Sequence, residues 1–524
     1  MASPALLRRL FALPPALRRT LYSTTATTNQ PDIYDVVCIG GGPAGLALLS
    51  ALKANPSTQT LKIALLDAQD LGKTRDTTFV DDEYSNRCSS LTPSSVKFLR
   101  RIGVWESIAS NRTQSYHAMD VWDGVSGSKI HFDSIDGQGG GLLNAVAELV
   151  PGSRFRQSRR RYESGGLDGA VATMCENTNL TRALMARTHT TDHQSALSPA
   201  PFNILDKTRV ESIHLGPEPE TEAALDLSQW PIINAQTPTG NNMLAARLLV
   251  GADGANSPVR RFAEIPSHGW DYNQHGVVAT LHLDQHSSQS VLRTAYQRFL
   301  PTGPIALLPL PDNKASLVWS TTPQHALQLK QLPPQDFIAM VNAAFRLVPV
   351  DIDYMLNPSS TTSPSSKLSW REPATPPSST GLPRSFPRIT GLQADTVASF
   401  PLRMRHASTY TGHRVALLGD AAHTIHPLAG QGLNLGLGDA ESLADRIAYG
   451  VEHGMDIGSC WCLDGYNGDR WAKNNAMLGV VDKLQKVYSA TSGPVVWGRS
   501  FGVEVLERLG AVKGALMGAA AGGR

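Results

Sequence analysis

The sequence predicts an α/β protein with three parts: a Rossmann-like domain assembled from discontinuous segments, a second domain built on a β-sheet, and a C-terminal helical region. Three observations predict this architecture. A strand, turn, helix and strand pattern covers residues 34–67, and two later strand-and-loop segments, 247–253 and 415–420, each end on an aspartate. Residues 270–319 alternate apolar and polar side chains, which is typical of antiparallel strands with one solvated face.

The turn after the first strand carries the motif G-x-G-x-x-G. Gly40 permits a tight turn, Gly42 lets the backbone approach a pyrophosphate, and Gly45 allows close packing of helix on strand. Asp67 ends the second strand, where it can accept hydrogen bonds from an adenosine ribose. The motif in this context predicts dinucleotide binding at the N-terminus of the helix.

Composition excludes several classes of protein. The 524 residues carry 47 Lys+Arg against 45 Asp+Glu, a net charge of +2, so no global field attracts nucleic acid. The five cysteines form no C-x-x-C pair or regular framework, which argues against a disulfide scaffold and a structural zinc site. We expect no metal site, because His423 and His426 precede Pro427 in a loop sequence rather than on a helix.

The first 31 residues have the composition of a mitochondrial transit peptide. They contain four arginines and a Ser/Thr-rich tail, and no acidic residue occurs before Asp32. The alternative is a disordered basic tail without targeting function. No run of 18 predominantly apolar residues appears, so we expect no membrane-spanning segment.

Two segments after the βαβ unit indicate which dinucleotide is bound. Residues 251–260 contain Asp253 and Gly254 at the end of a strand, and Gly419 and Asp420 end another. Both segments resemble fingerprints of the group A flavoprotein monooxygenases, the family with the para-hydroxybenzoate hydroxylase fold. The resemblance implies FAD as the cofactor, with Asp253 helping to hold it and Asp420 hydrogen-bonding its ribityl chain. Gly254 and Gly419 beside them are expected to be cofactor-binding residues as well.

A glycine-rich segment follows and leads into a helical pattern. Backbone amides at a helix N-terminus stabilise negative charge, such as that of a reduced flavin. The resemblance places the amides of Leu433 and Asn434 at the pyrimidine edge of the flavin and Pro427 near its reacting face, with Gly430 and Gly432 also expected to bind the cofactor. The alternative is an ordinary glycine-rich turn.

Two further positions match cofactor contacts of the family. The resemblance assigns Arg87 to the FAD pyrophosphate, for which charge-assisted pairing suits an arginine. It also assigns Asn177 to the cofactor. A surface arginine and a helix-capping asparagine are the alternatives.

Residues 84–94, 269–274 and 296–310 resemble the ubiquinone-biosynthesis hydroxylases within that family. The resemblance implies hydroxylation of ring carbon 5 of a polyprenyl-4-hydroxybenzoate-type phenol by O₂, through a flavin hydroperoxide. It makes Arg298 a candidate for steering an anionic substrate or flavin, with a position at the pocket rim as the alternative. Other enzyme classes on this fold, an epoxidase or a halogenase, and a non-catalytic FAD-bound subunit of a lipid-synthesis complex remain open.

The resemblance also implies partners. Relatives take electrons from ferredoxin and ferredoxin reductase, and the arginines of residues 154–161 are either a docking site for an acidic ferredoxin or a solvated loop. The amphipathic pattern over 505–516 either packs on its own domain or contacts the inner membrane or a ubiquinone-biosynthesis complex. We expect the protein in the mitochondrial matrix, on the matrix side of the inner membrane.

These interpretations divide the chain as follows. The FAD-binding domain comprises 32–113, 170–270 and 401–465, and the substrate domain comprises 114–169 and 271–400. Residues 1–31 form the transit peptide and 466–524 the helical C-terminal region. Within the substrate domain, residues 357–390 hold 7 Pro, 9 Ser and 5 Thr, and this composition predicts a disordered insertion.

Overall fold

A computed structural model describes residues 30–133, 169–189, 202–218, 226–284, 293–357, 362–427 and 430–489. In chain order the strands are β1 Asp32–Ile39, β2 Ile63–Leu66, β3 Cys88–Leu91, β4 Thr113–Tyr116, β5 Ala118–Asp123, β6 Lys129–Asp133, β7 Ala172–Glu176, β8 Phe202–Leu205, β9 Arg209–Leu215, β10 Pro231–Thr237, β11 Gly240–Gly251, β12 Ser267–Leu283, β13 Thr294–Leu300, β14 Gly303–Leu310, β15 Lys314–Thr321, β16 Ile389–Leu392, β17 Ala398–Ala407, β18 Thr411–Gly412, β19 Val415–Leu417 and β20 His423–Thr424.

The α-helices are α1 Pro43–Ala54, α2 Leu71–Arg75, α3 Pro93–Arg101, α4 Asn177–His189, α5 Pro258–Phe262, α6 Pro323–Gln331, α7 Pro334–Arg346, α8 Pro349–Met355, α9 Pro364–Ala374, α10 Pro377–Thr380, α11 Gly432–Glu452 and α12 Cys460–Tyr488. Within the described ranges, no helix combines the length and the apolar character that crossing a bilayer requires.

The first sheet has the strand order β18-β19-β11-β1-β2-β8, and β10 and β9 extend it from β11. The central strands β19, β11, β1, β2 and β8 run parallel. Helices α1, α4, α11 and α12 pack beside one another around this sheet, and their apolar side chains share one core with it. Its strands come from three distant parts of the chain, which confirms the prediction of a discontinuous domain.

The second sheet has the order β20-β17-β12-β15-β14-β13-β5-β6, with β16 added to β12. Its pairs are antiparallel except for β13 and β5, as the alternating pattern over 270–319 predicts. Side chains of α6 and α7 pack on one face of this sheet and form a second core with it. The opposite face is available for a site between the two domains.

The prediction of a disordered insertion over 357–390 is wrong for the residues that the structure describes. Helices α9 and α10 form there, and Leu368 and Phe386 are buried against the second core. Ser363 caps the N-terminus of α9, where its hydroxyl accepts from the amide of Ser366. Serine and proline are common at the first positions of helices, so this composition suits short capped helices as well as disorder.

Two predicted boundaries lie inside continuous elements. The boundary at 270/271 falls within β12, and the one at 465/466 falls within α12. Three interpretations concern segments outside the described residues: the transit peptide up to residue 29, the arginine run 154–161 and the amphipathic pattern 505–516.

Candidate functional site

The glycine turn after β1 has the close contacts that its motif requires. Gly40 has φ +111°, and a Cβ on it would lie 2.2 Å from the carbonyl oxygen of Ala252. A Cβ on Gly45 would lie 2.2 Å from the carbonyl oxygen of Gly40. Both positions therefore exclude side chains because backbone approaches them from β11 and from the turn itself.

Gly42 differs from its two neighbours in the motif. It is the N-cap residue of α1, and a Cβ on it would meet no atom within 4 Å. The structure therefore leaves open space at the N-terminus of the helix, where free amides and the helix dipole favour an anion. This open space is the feature that a bound pyrophosphate needs.

Asp67 lies at the carboxyl end of β2 and is tied to the same turn. Its Oδ2 accepts from the amide of Gly41 at 2.5 Å, and its Oδ1 accepts from the amide of Gln69 at 2.6 Å. The carboxylate thereby fixes the turn relative to β2. Its predicted contact with a ribose stays a prediction.

The loop after β11 presents a partly satisfied carboxylate. Asp253 Oδ2 accepts from the amide of Val259 at 3.2 Å, whereas its buried Oδ1 has no hydrogen-bond partner among the described residues. Burial raises the pKa of this carboxyl. Gly254 follows with φ +84° and open space where a Cβ would lie. An unsatisfied buried oxygen beside open space fits a polar ligand.

The loop after β19 brings the second predicted aspartate to the same edge of the first sheet. Gly419 has φ +57°, which favours glycine, and Asp420 follows in a 3₁₀ turn. Asp420 is exposed to solvent, but protein lies on most sides of its carboxylate. The loss of surrounding water raises the pKa of Asp420, and the nearby His423 opposes this shift only in part. The carboxylate therefore lies in a crevice, as expected for a cofactor contact.

A buried polar network behind this loop was not predicted. Asp439, on α11, is fully buried; its Oδ2 lies 2.6 Å from Nε2 of His423 and accepts from the amide of Gly419 at 3.1 Å. Its Oδ1 accepts from Nε of Arg470 and Nδ2 of Asn474, both at 2.9 Å. Burial alone would raise the pKa of Asp439, but His423 and Arg470 outweigh it and hold the pKa well below its usual range. The network therefore holds Gly419 in place through its backbone amide.

The start of α11 is tied to β3 and α3 through Asn434. Its Oδ1 accepts from the amide of Thr92 at 3.0 Å and the hydroxyl of Ser95 at 2.8 Å, and its Nδ2 donates to the carbonyl of Ser90 at 2.8 Å. Gly430, whose carbonyl also accepts from Nδ2, has φ +58°.

The neighbouring predicted residues support the same arrangement. Gly432 begins α11, and Leu433 packs on the first core. Side-chain contacts therefore tie the described part of the predicted flavin-edge segment to β3, α3 and the first core.

The loop with Arg87 is positioned by a buried ion pair that sequence reasoning missed. Arg112 Nε lies 2.6 Å from Oε2 of Glu176, and Glu176 Oε1 accepts from the amide of Ser85 at 2.6 Å. The amide of Asn177 donates to the carbonyl of Arg87 at 2.9 Å. The Arg87 side chain is exposed. The structure therefore brings Arg87 and Asn177 together through backbone.

A cleft separates the open face of the second sheet from Pro427. Its walls are formed by Gln297 on β13, Pro304 and Ala306 on β14, and Val318 and Ser320 on β15. Gln297 pairs with Ala306 and Ala306 with Val318, so these side chains share one face of the sheet. The cleft lies beside the segment predicted to hold the flavin, and its volume of about 10 Å³ is room for about one water molecule.

Arg298 does not line this cleft, contrary to the expectation that it steers an anionic substrate or flavin. Side chains alternate along a strand, so Arg298 points to the face opposite Gln297. It is completely buried behind the sheet, where Nη1 donates to the carbonyl of Ala344 on α7 at 2.9 Å. Burial lowers its pKa to about 10. The alternative of a rim arginine is equally excluded by its burial.

Comparison with known proteins identifies the cofactor and the family. Residues 33–354 and 383–479 match the FAD binding domain family. The chain belongs to that family. Over 94% of its length it is 38% identical to mitochondrial ubiquinone biosynthesis monooxygenase COQ6 of Schizosaccharomyces pombe, covering 92% of that protein. It is 36% identical to COQ6 of Saccharomyces cerevisiae and 33% identical to that of Homo sapiens, over 93% of the chain and 94% and 92% of those proteins.

The chain is therefore a COQ6-type FAD-dependent monooxygenase of ubiquinone biosynthesis, as its motifs predict. Its fold resembles that of p-nitrophenol 4-monooxygenase PnpA from Pseudomonas putida DLL-E4, with a TM-score of 0.59, 16% identity, and coverage of 93% of this chain and 97% of that one. The open space at Gly42 and the unsatisfied oxygen of Asp253 fit FAD.

Proposed function

We propose that this protein hydroxylates ring carbon 5 of a polyprenyl-4-hydroxybenzoate-type phenol. The observation that carries this proposal is the 38% identity to ubiquinone biosynthesis monooxygenase COQ6 of Schizosaccharomyces pombe over 94% of the chain. In the balanced reaction, O₂, two electrons and two protons convert a ring C–H into C–OH and release one water. Bound FAD, once reduced, supplies the activation of O₂.

The roles of the chain's own residues follow from their places around the crevice. The amide end of α1 at Gly42, together with Arg87, would bind the pyrophosphate, and Asp420 would bind the ribityl chain. Asp67 would bind the ribose.

The remaining contacts are proposed on the other sides of the cofactor. Asn177, Asp253 and Gly254 would complete its polar surroundings. The backbone at Leu433 and Asn434 would stabilise negative charge on the flavin edge. Pro427 lies opposite the sheet, where it would help to exclude water from the reacting ring.

Electron supply is proposed to come from ferredoxin and ferredoxin reductase. The chain has one G-x-G-x-x-G in strand-to-helix context, at Gly40, and FAD is assigned to it. Anaerobic stopped-flow absorbance tests the donor. We expect slow bleaching of the oxidised flavin by NADPH alone and rapid bleaching when ferredoxin and its reductase are added. Fast reduction by NADPH alone would contradict this part of the proposal.

The proposed location is the mitochondrial matrix, on the matrix side of the inner membrane and in contact with a ubiquinone-biosynthesis complex. The names of the relatives place them in mitochondria, and the basic composition of residues 1–31 supports import of this chain.

Product analysis of cells that lack the protein tests the proposed reaction. We expect such cells to accumulate a polyprenyl phenol that is missing the hydroxyl group on ring carbon 5. Accumulation of an intermediate that already carries this hydroxyl would contradict the ring position.

A further inference from the structure

The C-terminal half of α12 has one face on the protein and the opposite face in solvent. On the inner face, the ring of Tyr488 stacks on Phe299 of β13 at a centroid distance of 3.9 Å. Asp482 Oδ1 accepts from the hydroxyl of Tyr272 on β12 at 3.1 Å. These contacts hold the end of α12 against the second sheet.

The outer face of α12 carries an apolar stripe. Val480, Leu484 and Val487 are 54%, 39% and 37% exposed. Because they follow one another at spacings of four and three residues, they share one side of the helix over about 10 Å of its length. A helix in a globular protein normally turns such a stripe toward a packing partner. The stripe therefore indicates a docking surface.

The chain that follows α12 carries a second stripe of the same kind. Residues 490–524 lie outside the described residues, so only their sequence pattern enters the argument. Val505, Leu509, Val512 and Leu516 are spaced by four, three and four residues, which is the pattern of one face of a helix. The two stripes match in period and in side-chain type.

The covalent connection favours this segment over a separate molecule as the occupant. Residues 490–504 link the two stripes, and Gly493 and Pro494 within them favour a turn. A short linker holds a tethered segment at an effective concentration of about millimolar, so a small apolar contact is enough for docking. A second copy of the chain or a lipid surface has no such advantage.

We propose that residues 505–516 form a helix whose apolar face docks on the stripe formed by Val480, Leu484 and Val487. For this segment the proposal selects packing on its own domain over contact with the membrane, and it does not depend on the proposed reaction. The docked helix covers the outer face of α12. It thereby supports the helix whose inner face contacts Tyr272 and Phe299.

Hydrogen exchange of the full-length, FAD-loaded protein tests this docking. The exchange is followed by mass spectrometry of peptides, at a concentration where light scattering reports a monomer. We expect the amides of 505–516 to be protected in wild type. Leu484→Asp places a charge in the apolar contact and should speed their exchange roughly 10- to 100-fold, as expected for loss of one buried leucine contact.

Two further variants serve as controls. Leu327→Asp, at a leucine of α6 that is 58% exposed, is the matched control and should leave exchange of 505–516 unchanged. Leu484→Met keeps an apolar side chain and should retain the protection. FAD content and the unfolding midpoint report on folding, and Val480→Asp replaces Leu484→Asp if the latter fails to fold.

Four outcomes would overturn the proposal. A segment 505–516 that is unprotected in wild type does not dock, and protection that persists in Leu484→Asp places its contact elsewhere. Protection that disappears when the protein is diluted would indicate a second copy of the chain. Protection that appears only with vesicles of anionic phospholipid would indicate a membrane contact. None of these results bears on the proposed reaction, which product analysis tests separately.

Discussion

Replacement of Gly42 by valine should separate folding from cofactor binding. The residue has φ −71° and ψ 173°, which any residue adopts, and its missing Cβ would meet no protein atom within 4 Å. Loss of the glycine N-cap costs about 0.5–1 kcal/mol, and the reduced entropy of the unfolded chain offsets about 0.4–1 kcal/mol. The apo-protein should therefore keep its stability to within about 1 kcal/mol.

The same side chain should interfere strongly with FAD. It would occupy the space through which a pyrophosphate approaches the amides of α1. Each hydrogen bond to a charged group contributes about 1.5–3 kcal/mol, so the loss of two weakens binding by roughly 10² to 10⁴-fold. Urea unfolding of apo-protein and titration of FAD by fluorescence quenching measure the two effects separately.

Gly45→Ala is the matched control. Its Cβ would lie 2.2 Å from the carbonyl oxygen of Gly40, so this smaller substitution should destabilise the apo-protein as well as FAD binding. Wild-type affinity for FAD in a folded Gly42→Val protein would refute the assignment of the open space to the pyrophosphate. Unfolding of apo Gly42→Val would refute the claim that the space is open.

Three further predictions concern buried side chains. Asp439→Asn leaves the buried Arg470 without its counter-charge and should lower the free energy of unfolding by about 3–5 kcal/mol. Because the folded state holds the pKa of Asp439 low, the stability that its carboxylate contributes is present above the ordinary pKa of about 3.9 and is lost as the pH falls below it. The urea midpoints of wild type and variant should therefore converge in acid, and an unchanged difference between them would contradict this. Arg298→Met should leave kcat unchanged, since the arginine lies behind the sheet, and the free energy of unfolding should stay within about 1 kcal/mol of wild type or rise. A selective loss of kcat in steady-state assays would indicate a catalytic role for Arg298. Leu368→Ala, in the segment that its composition predicts to be disordered, should lower the free energy of unfolding by about 2–5 kcal/mol. Unchanged thermal unfolding would contradict a packing role for that segment.

The first domain could be predicted from sequence because its signals are local. Gly40, Gly42 and Gly45 fall within six residues. Close backbone contacts require glycine at Gly40 and Gly45, and Gly42 leaves the space that the motif assigns to a pyrophosphate. Strands that end on Asp253 and Asp420 could likewise be assigned to one edge of a parallel sheet. The FAD-binding fold therefore follows from patterns of a few residues.

The buried networks could not be predicted in this way. Arg112 and Glu176 are 64 residues apart, and Asp439 meets Arg470 across 31 residues. Nothing in the sequence near either carboxylate indicates which distant cation will neutralise it. Such pairings depend on how helices and strands pack, which local patterns do not determine.

Arg298 and Gln297 show a different limit. Alternation along β13 could be predicted, but which of two adjacent residues faces the cleft depends on the side of the sheet that α7 covers. The charged Arg298 was the predicted site residue, whereas its neutral neighbour Gln297 faces the cleft. The prediction of disorder over 357–390 is wrong because a few apolar residues, among them Leu368, are enough to order the segment when they pack on α7.

The proposed reaction inserts one atom of O₂ into the ring of a prenylated phenol. The direct measurement is mass spectrometry of the product formed by purified FAD-loaded protein, with ferredoxin, its reductase and a short-chain 3-prenyl-4-hydroxybenzoate, under ¹⁸O₂. We expect a product with one new hydroxyl at ring carbon 5 that carries ¹⁸O. Consumption of O₂ with unchanged phenol, or a hydroxyl group whose oxygen comes from water, would contradict it.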